Sequence, residues 1–463
     1  MSRPSALRIL LALLAAGLAA CARDARPLEE RLQAAMEKRL RQYDVKGASA
    51  AVILPDGTLH RATAGVSHGM VAMDPDMAFA VGSITKNMVA ALTLQLAEEG
   101  KLSLEDPIGK WLPAYPHVNG AVTIRQLLNH TSGLYMFFDN QALWDDLIRD
   151  RERIFTPEEV LGYLKEPYFA PGKGFRYSNT NYLLAAMIAE KATGSTLAIE
   201  MRKRFWEPLG LAGARLPLEE PYPEHMTHVW GDYFEKGGAY RDMHGLPRAS
   251  HDSIGCPTAF MTAGDMARWT HALFHGKVIG PRSLGEMRTG SAWNWYGLGL
   301  QRFGWRIAGW RRVYGHSGAS MGTSAYMIYL PDRDVSVTVM INNFGGKCLT
   351  AMTRDAVNLA AAHWRPPTVA ERLKSPEGLL SALWLLAGSG ALLYAIRKRR
   401  PLVLCAFSAG FRFLRNNSGH IPGHVSAVVL TIGDDKDVAV RQSGRIEVAL
   451  GVQGVYRPRN AQA

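Results

Sequence analysis

Two β-hairpin signatures stand near opposite ends of one long stretch of this chain, and that placement limits its fold more than any other feature. ASAAVIL (48–54), the turn Pro55-Asp56-Gly57 and TLHRATAG (58–65) form the first. SAYMIYL (324–330), the turn Pro331-Asp332-Arg333-Asp334 and VSVTVMIN (335–342) form the second. Strands at both ends can share one antiparallel sheet. The intervening segment is helix-rich, residues 27–44 read as an amphipathic helix, and TRDAVNLAAAHW (353–364) resumes helical spacing. A mixed α/β (α+β) fold is therefore expected, with an antiparallel sheet flanked by helices and a helix-rich second lobe.

Within that segment lies FAVGSITKNMVAALTLQLAEEG (79–100), where Gly82 precedes a run with helical spacing that ends in acidic residues and Gly100. On such a helix Ser83 and Lys86 share a face. An isolated serine hydroxyl is a poor nucleophile and needs a neighbour to accept its proton. Lys86 can accept it only as the neutral amine, a form favoured by exclusion from water and by the positive N-terminal end of a helix. Two further strings come later in fixed order, Tyr177-Ser178-Asn179 and His316-Ser317-Gly318. The phenol can shuttle protons, the amide offers both a donor and an acceptor, and the glycine lets a substrate approach a strand closely. Together these groups point to acyl transfer through a covalent serine ester, with no cofactor required.

With these motifs in place the chain resembles the serine penicillin-recognising enzymes, the broad family of class C β-lactamases, D-alanyl-D-alanine carboxypeptidases and related esterases and peptidases. The likeness covers residues 40–364 and includes LLNHTSGL (127–134), PGKGFRYSNTNYLLAAMIAEKATG (171–194), EPLGL (207–211), GCPTAFMTAGDMARW (255–269) and GHSGASMGTSAYMIYLPDRDVSVTVMINN (315–343). It implies a β-lactamase/transpeptidase-like fold with the active site between the lobes. It also implies catalytic roles for Ser83, Lys86 and Tyr177, and a place for Asn179 in binding the substrate amide and orienting Lys86. His316, Ser317, Gly318 and Ala319 would line the substrate, with the N–H groups of Ser83 and Ala319 as the oxyanion hole.

His316 departs from the lysine usual at this position in class C β-lactamases, which weakens the case for a dedicated β-lactamase. Neutral imidazole carries no charge, so a His316 that holds a substrate carboxylate must be protonated, and affinity should fall as pH rises through the imidazole range. The reading is a serine hydrolase, a D-amino-acid peptidase or carboxypeptidase type or an esterase, acting on a peptide, β-lactam or ester in the cell envelope. The alternatives are a true β-lactamase and a non-catalytic peptidoglycan-binding scaffold of the same fold.

Three rival readings compete with this assignment. Gly318-Ala319-Ser320-Met321-Gly322 matches the G-x-S-x-G nucleophile elbow, but that motif needs a strand, a sharp turn and a helix, and the segment after Gly322 is β-rich. His130 in NHTSGL could be read as a base, although the family pattern makes that loop structural. A metal site could draw on His225, His228, Asp232, Asp242, His244, His251 and Asp252, yet the H-E-x-x-H arrangement of zinc hydrolases is missing. No metal is expected.

The two ends of the chain read differently from its middle. Residues 1–20 have Arg3 and Arg8, an apolar run and small residues leading to Cys21, which suggests a signal peptide with a lipobox and a lipidated Cys21. The hydrolase domain is expected at 27–364, a polar, proline-bearing linker at 365–378, and a membrane-spanning helix at 379–396, directly followed by the basic cluster Arg397, Lys398, Arg399 and Arg400. Residues 397–463 form a tail with possible short strands around Gly433-Asp434-Asp435. Net charge of +12 accompanies no nucleic-acid motif, so a membrane or an acidic wall polymer is the expected partner of that charge. The four cysteines give no disulfide framework.

Overall fold

The computed structural model describes residues 26–364, apart from 151–152, 218, 232–240, 243–257, 292–295, 305–306, 308–310 and 321, together with strands at 404–407, 427–432 and 438–442. The main strands are β1 Gly47–Ile53, β2 Leu59–His68, β3 Val71–Ala72, β8 Gln301–Phe303, β9 Val313–Ser320, β10 Thr323–Leu330 and β11 Val335–Ile341. Two short pairs complete the numbering, β4 Phe79–Ala80 with β7 Phe260–Met261 and β5 Trp230–Gly231 with β6 Arg241–Asp242. The main strands form one seven-stranded sheet in the order β3-β2-β1-β11-β10-β9-β8, antiparallel throughout. The two hairpins meet at its centre, where Ala48 of β1 lies opposite Ile341 of β11 and Ile53 opposite Ser336.

Five helices matter for the site: α1 Leu28–Tyr43, α2 Thr85–Glu98, α3 Asn179–Thr193, α4 Ala263–Phe274 and α5 Gly346–Trp364. Helix α1 buries Leu28, Leu32, Met36 and Leu40, one residue per helical turn. That stripe and α5 cover one face of the sheet, against Ala48, Ala50 and Val52 of β1 and Val335, Val337, Val339 and Ile341 of β11. The opposite face carries Ala51, Ile53 and Met340 into a second core shared with α2, α3 and α4. Both faces are thus covered, so every residue of β1 and β11 is buried, the polar Ser49, Ser336 and Thr338 included.

Ser83 does not sit within the long helix as the periodicity suggests. It lies in a single 3₁₀ turn, Gly82–Ile84, that feeds into α2. Gly82 has φ +53°, a left-handed conformation open to glycine at little cost, and this sets the tight entry.

The strands beyond Trp364 belong to a separate unit made of Met1–Asp24 and Pro367–Ala463. In it Leu404–Phe407 pairs antiparallel with Ala427–Ile432, and that strand with Val438–Gln442, so two short strands lie on either side of Gly433-Asp434-Asp435, as expected. The leader 1–20, Cys21, the linker 365–378 and the expected span 379–396 lie outside the described residues. Among the described residues no helix is long and apolar enough to cross a membrane.

Candidate active site

Two glycines bring the Ser83 turn against the edge of β9. A Cβ on Gly82 would lie 2.2 Å from the carbonyl oxygen of Ala319 and 2.8 Å from its nitrogen, and one on Gly318 would lie 1.9 Å from the carbonyl oxygen of Val81. No larger residue fits at either position without backbone displacement. Strand β8 covers β9 only as far as Gly315, so the outer edge from His316 onward is not covered by a neighbouring strand. The N–H of Ser317 points to that outer side, where it donates to Gln301 Oε1 at 3.2 Å. Main-chain direction repeats every two residues along a strand, so the N–H of Ala319 points to the same side, toward the Ser83 turn.

Lys86, in the first turn of α2, places its Nζ 3.2 Å from Ser83 Oγ. The lysine is only 4% exposed, and its ammonium position lies 5.3 Å from the ring centroid of Tyr177 and 5.8 Å from that of Tyr182. A proton taken by this amine would be held between two aromatic faces, which attract a cation electrostatically. Lys86 is thus almost wholly excluded from water.

Tyr177 and Asn179 are held by a loop below them. Asn179 opens α3, its N–H donates to Met136 Sδ at 3.0 Å, and its buried Oδ1 has no hydrogen-bond partner among the described residues. Ser178 N–H donates to Nδ1 of His130 at 3.2 Å, as does the Asn181 amide at 2.9 Å. His130 is fully buried, with its ring 4.3 Å from that of Tyr177, and burial, aided by Lys86 and His316, holds its pKa well below the ordinary imidazole value. Its lone pair is committed to the loop, so it supports Tyr177 rather than acting as a base. Beside Tyr177, Arg176 pairs with Asp139 at 2.9 Å and stacks over Tyr168, so this flanking cation is already neutralised.

His316 requires a correction. It was expected to face the substrate and, when charged, to hold a carboxylate, but its side chain is fully buried and turned inward. Nδ1 lies 2.6 Å from the Ser317 carbonyl oxygen and Nε2 lies 2.8 Å from the Tyr296 hydroxyl. Burial pushes its pKa down to about 3, so it is neutral at physiological pH. Ser317 and Ala319 are partly exposed, while Gly318 is the close contact to Val81.

The rival nucleophile Ser320 is 2% exposed and ends β9 in a tight hairpin, paired with Thr323, with no helix after it. Of the metal candidates, His228 Nδ1 contacts Asp242 at 2.7 Å and His225 contacts Asp74 at 3.6 Å. Asp232, His244, His251 and Asp252 lie outside the described residues. Among the described residues no group of three or more His, Cys, Asp or Glu could hold a metal ion.

Sequence reasoning missed Tyr182, Tyr296 and Gln301. Tyr182 was within reach, since it lies just after Tyr177 on the same segment, one turn into α3. Tyr296 and Gln301 carry no motif of their own, and only the folded sheet brings them to β9.

Comparison with known proteins bears on the family and the fold. The sequence profile of the Beta-lactamase family matches residues 31–362. Penicillin-binding protein 4* of Bacillus subtilis (strain 168) is 30% identical over 285 residues, covering 57% of this chain and 60% of that protein. Esterase EstB of Burkholderia gladioli is 33% identical over 216 residues, covering 43% of this chain and 54% of the esterase. The D-stereospecific amidohydrolase from Streptomyces sp. superposes with a TM-score of 0.62 at 28% identity, across 71% of this chain and 98% of that one. The chain thus spans between half and two thirds of the length of these two curated relatives.

Proposed function

We propose, from the premise that this chain belongs to the Beta-lactamase family, that Ser83 is the nucleophile of a serine hydrolase acting on amides or esters of D-amino acids and on small esters. Ser83 Oγ attacks the substrate carbonyl carbon, and its proton passes to the neutral amine of Lys86. The oxyanion that forms is met by the N–H groups of Ser83 and Ala319. Collapse breaks the carbonyl bond to nitrogen or oxygen, and the departing amine or alcohol takes a proton through Tyr177. Water then attacks the ester on Ser83 and releases the acid, which regenerates the hydroxyl.

The observation that carries this reading is the 3.2 Å approach of Lys86 Nζ to Ser83 Oγ by a lysine 4% exposed and flanked by two tyrosine rings. A solvated lysine at a helix start would make no such contact. Asn179, with its unpartnered Oδ1, is suited to receive a substrate N–H. The amidohydrolase and esterase relatives support amide and ester substrates. Intact-mass analysis of the full chain after exposure to a fluorescent penicillin, a D-alanyl-D-alanine peptide and a short-chain ester tests the reading. It predicts a mass increase of one acyl group with at least one of them, and no adduct and no turnover with any would contradict it.

The site is further proposed to face the cell envelope. The leader before Cys21 and the apolar run 379–396 with its basic flank support export and anchoring, and a penicillin-binding relative fits a location near the wall.

A further inference from the structure

The residues around His316 bear on which acyl donors this site accepts. His316, in β9, is the imidazole whose Nδ1 lies 2.6 Å from the Ser317 carbonyl oxygen. A carbonyl only accepts, so Nδ1 carries the proton and Nε2 holds the lone pair. That lone pair faces the Tyr296 hydroxyl at 2.8 Å, and the hydroxyl must donate to it. Tyr296 is itself buried, 3% exposed, so water does not compete for the contact. The groups that face the ring are Lys86 from α2, His130 from the loop after helix Ile124–Leu128, and Tyr296. No carboxylate is among them. The Ser317 carbonyl at Nδ1 favours a charged ring, but burial and Lys86 oppose it.

The neighbouring residue is closed to anions in the same way. Both donors of Ser317, its N–H and its hydroxyl, go to Gln301 Oε1 at 3.2 Å. The amide orientation is settled by chemistry, because a main-chain N–H needs an acceptor and Nε2 is none. All three groups at this place on β9 that could donate to an anion are therefore committed elsewhere.

We propose that Tyr296 is a positioning residue that sets specificity: by donating to His316 Nε2 it holds the imidazole in its neutral Nδ1–H tautomer, so that β9, with Gln301 occupying Ser317, excludes a carboxylate and selects uncharged acyl donors. The proposal rests on reading this cleft as the acyl-transfer site. A substrate carboxylate laid against Ser317 would leave water and find the donors there already engaged, which is costly for a charged group. An amide or ester in its place loses far less.

Two measurements on the full chain test it. Histidine-selective ¹⁵N NMR, with His316 assigned through His316→Asn, should show a neutral Nδ1–H ring between pH 5.5 and about 8. An Nε2–H tautomer or a protonated ring would overturn the proposal, whatever becomes of Ser83. The second compares an acyl-D-alanyl-D-alanine peptide with the same peptide ending in a carboxamide. The wild type should favour the carboxamide by about tenfold or more in kcat/KM, with a ratio that does not change with pH. In Tyr296→Phe the freed lone pair can take a proton, so the ratio should narrow as pH falls, and Tyr296→Phe/His316→Asn should lose that pH dependence. A purely structural role would lower both rates together and leave the ratio flat, which would also overturn the proposal. If Tyr296→Phe does not fold, the wild-type tautomer and ratio still decide.

Discussion

Gly318 and Val81 are packed so closely that a single added methyl on Gly318 would sit 1.9 Å from the Val81 carbonyl oxygen. The contact joins β9 to the turn that carries Ser83. It fixes the spacing between the nucleophile and the strand edge.

Gly318→Ala should therefore separate β9 from the turn and misplace Ser83 relative to the Ala319 N–H. A displacement near 1 Å costs about a hundredfold in rate, and overpacking costs about 1–3 kcal/mol in stability. Steady-state kinetics and thermal melts on the same preparation check both. A folded variant with wild-type kcat/KM would contradict the account of this contact.

Tyr177→Phe should separate substrates by their leaving groups. An amine must be protonated to depart, whereas a nitrophenoxide need not be, so amide hydrolysis should lose about a hundredfold to ten-thousandfold while a nitrophenyl ester loses much less. The loss should fall on kcat. Equal losses for both substrates would remove Tyr177 from the proton path.

Much of this arrangement was legible beforehand because it depends on local chemistry. The hairpins announce themselves by their turns, α1 by one buried residue per turn, and Ser83 with Lys86 by their spacing before a helical run. What was not legible depends on which way a strand faces. His316 stands where class C β-lactamases usually carry a lysine, and its chemistry invited a role toward substrate; a shift of one position along β9 exchanges interior for cleft. Only the pairing of Met327 with His316, and the approach of Tyr296 from another segment, show that the ring turns inward.

The two buried imidazoles should make the fold sensitive to acid. His130 and His316 have folded-state pKa values below their unfolded value of 6.5, the latter at about 3. Below 6.5 the unfolded chain binds protons that the folded chain refuses, so stability should fall as pH drops below 6.5, and for His316 by about 1.4 kcal/mol per pH unit through the window toward 3. Denaturant unfolding of His316→Gln between pH 6 and about 4.5 should give a slope shallower than wild type by about one proton. Equal slopes would mean that His316 titrates alike in both states.

Anchoring can be tested at both ends of the chain. If 379–396 spans the membrane with its basic cluster inside, a C-terminal epitope tag should survive protease treatment of intact spheroplasts. Deletion of 366–463 together with Cys21→Ala should release the enzyme from membranes. A digested tag, or a doubly altered protein still membrane-bound, would contradict the proposed topology.

The central claim is that Ser83, activated by Lys86, forms the covalent ester. Peptide mapping of the adduct trapped by a fluorescent penicillin or a slowly turned-over ester tests it most directly, using wild type, Ser83→Ala, Lys86→Ala and Ser320→Ala. The account predicts one acyl group on the peptide containing Ser83, none in Ser83→Ala, slowed or absent labelling in Lys86→Ala, and an adduct retained in Ser320→Ala. An acyl group mapped to Ser320, or labelling that survives in Ser83→Ala, would contradict it.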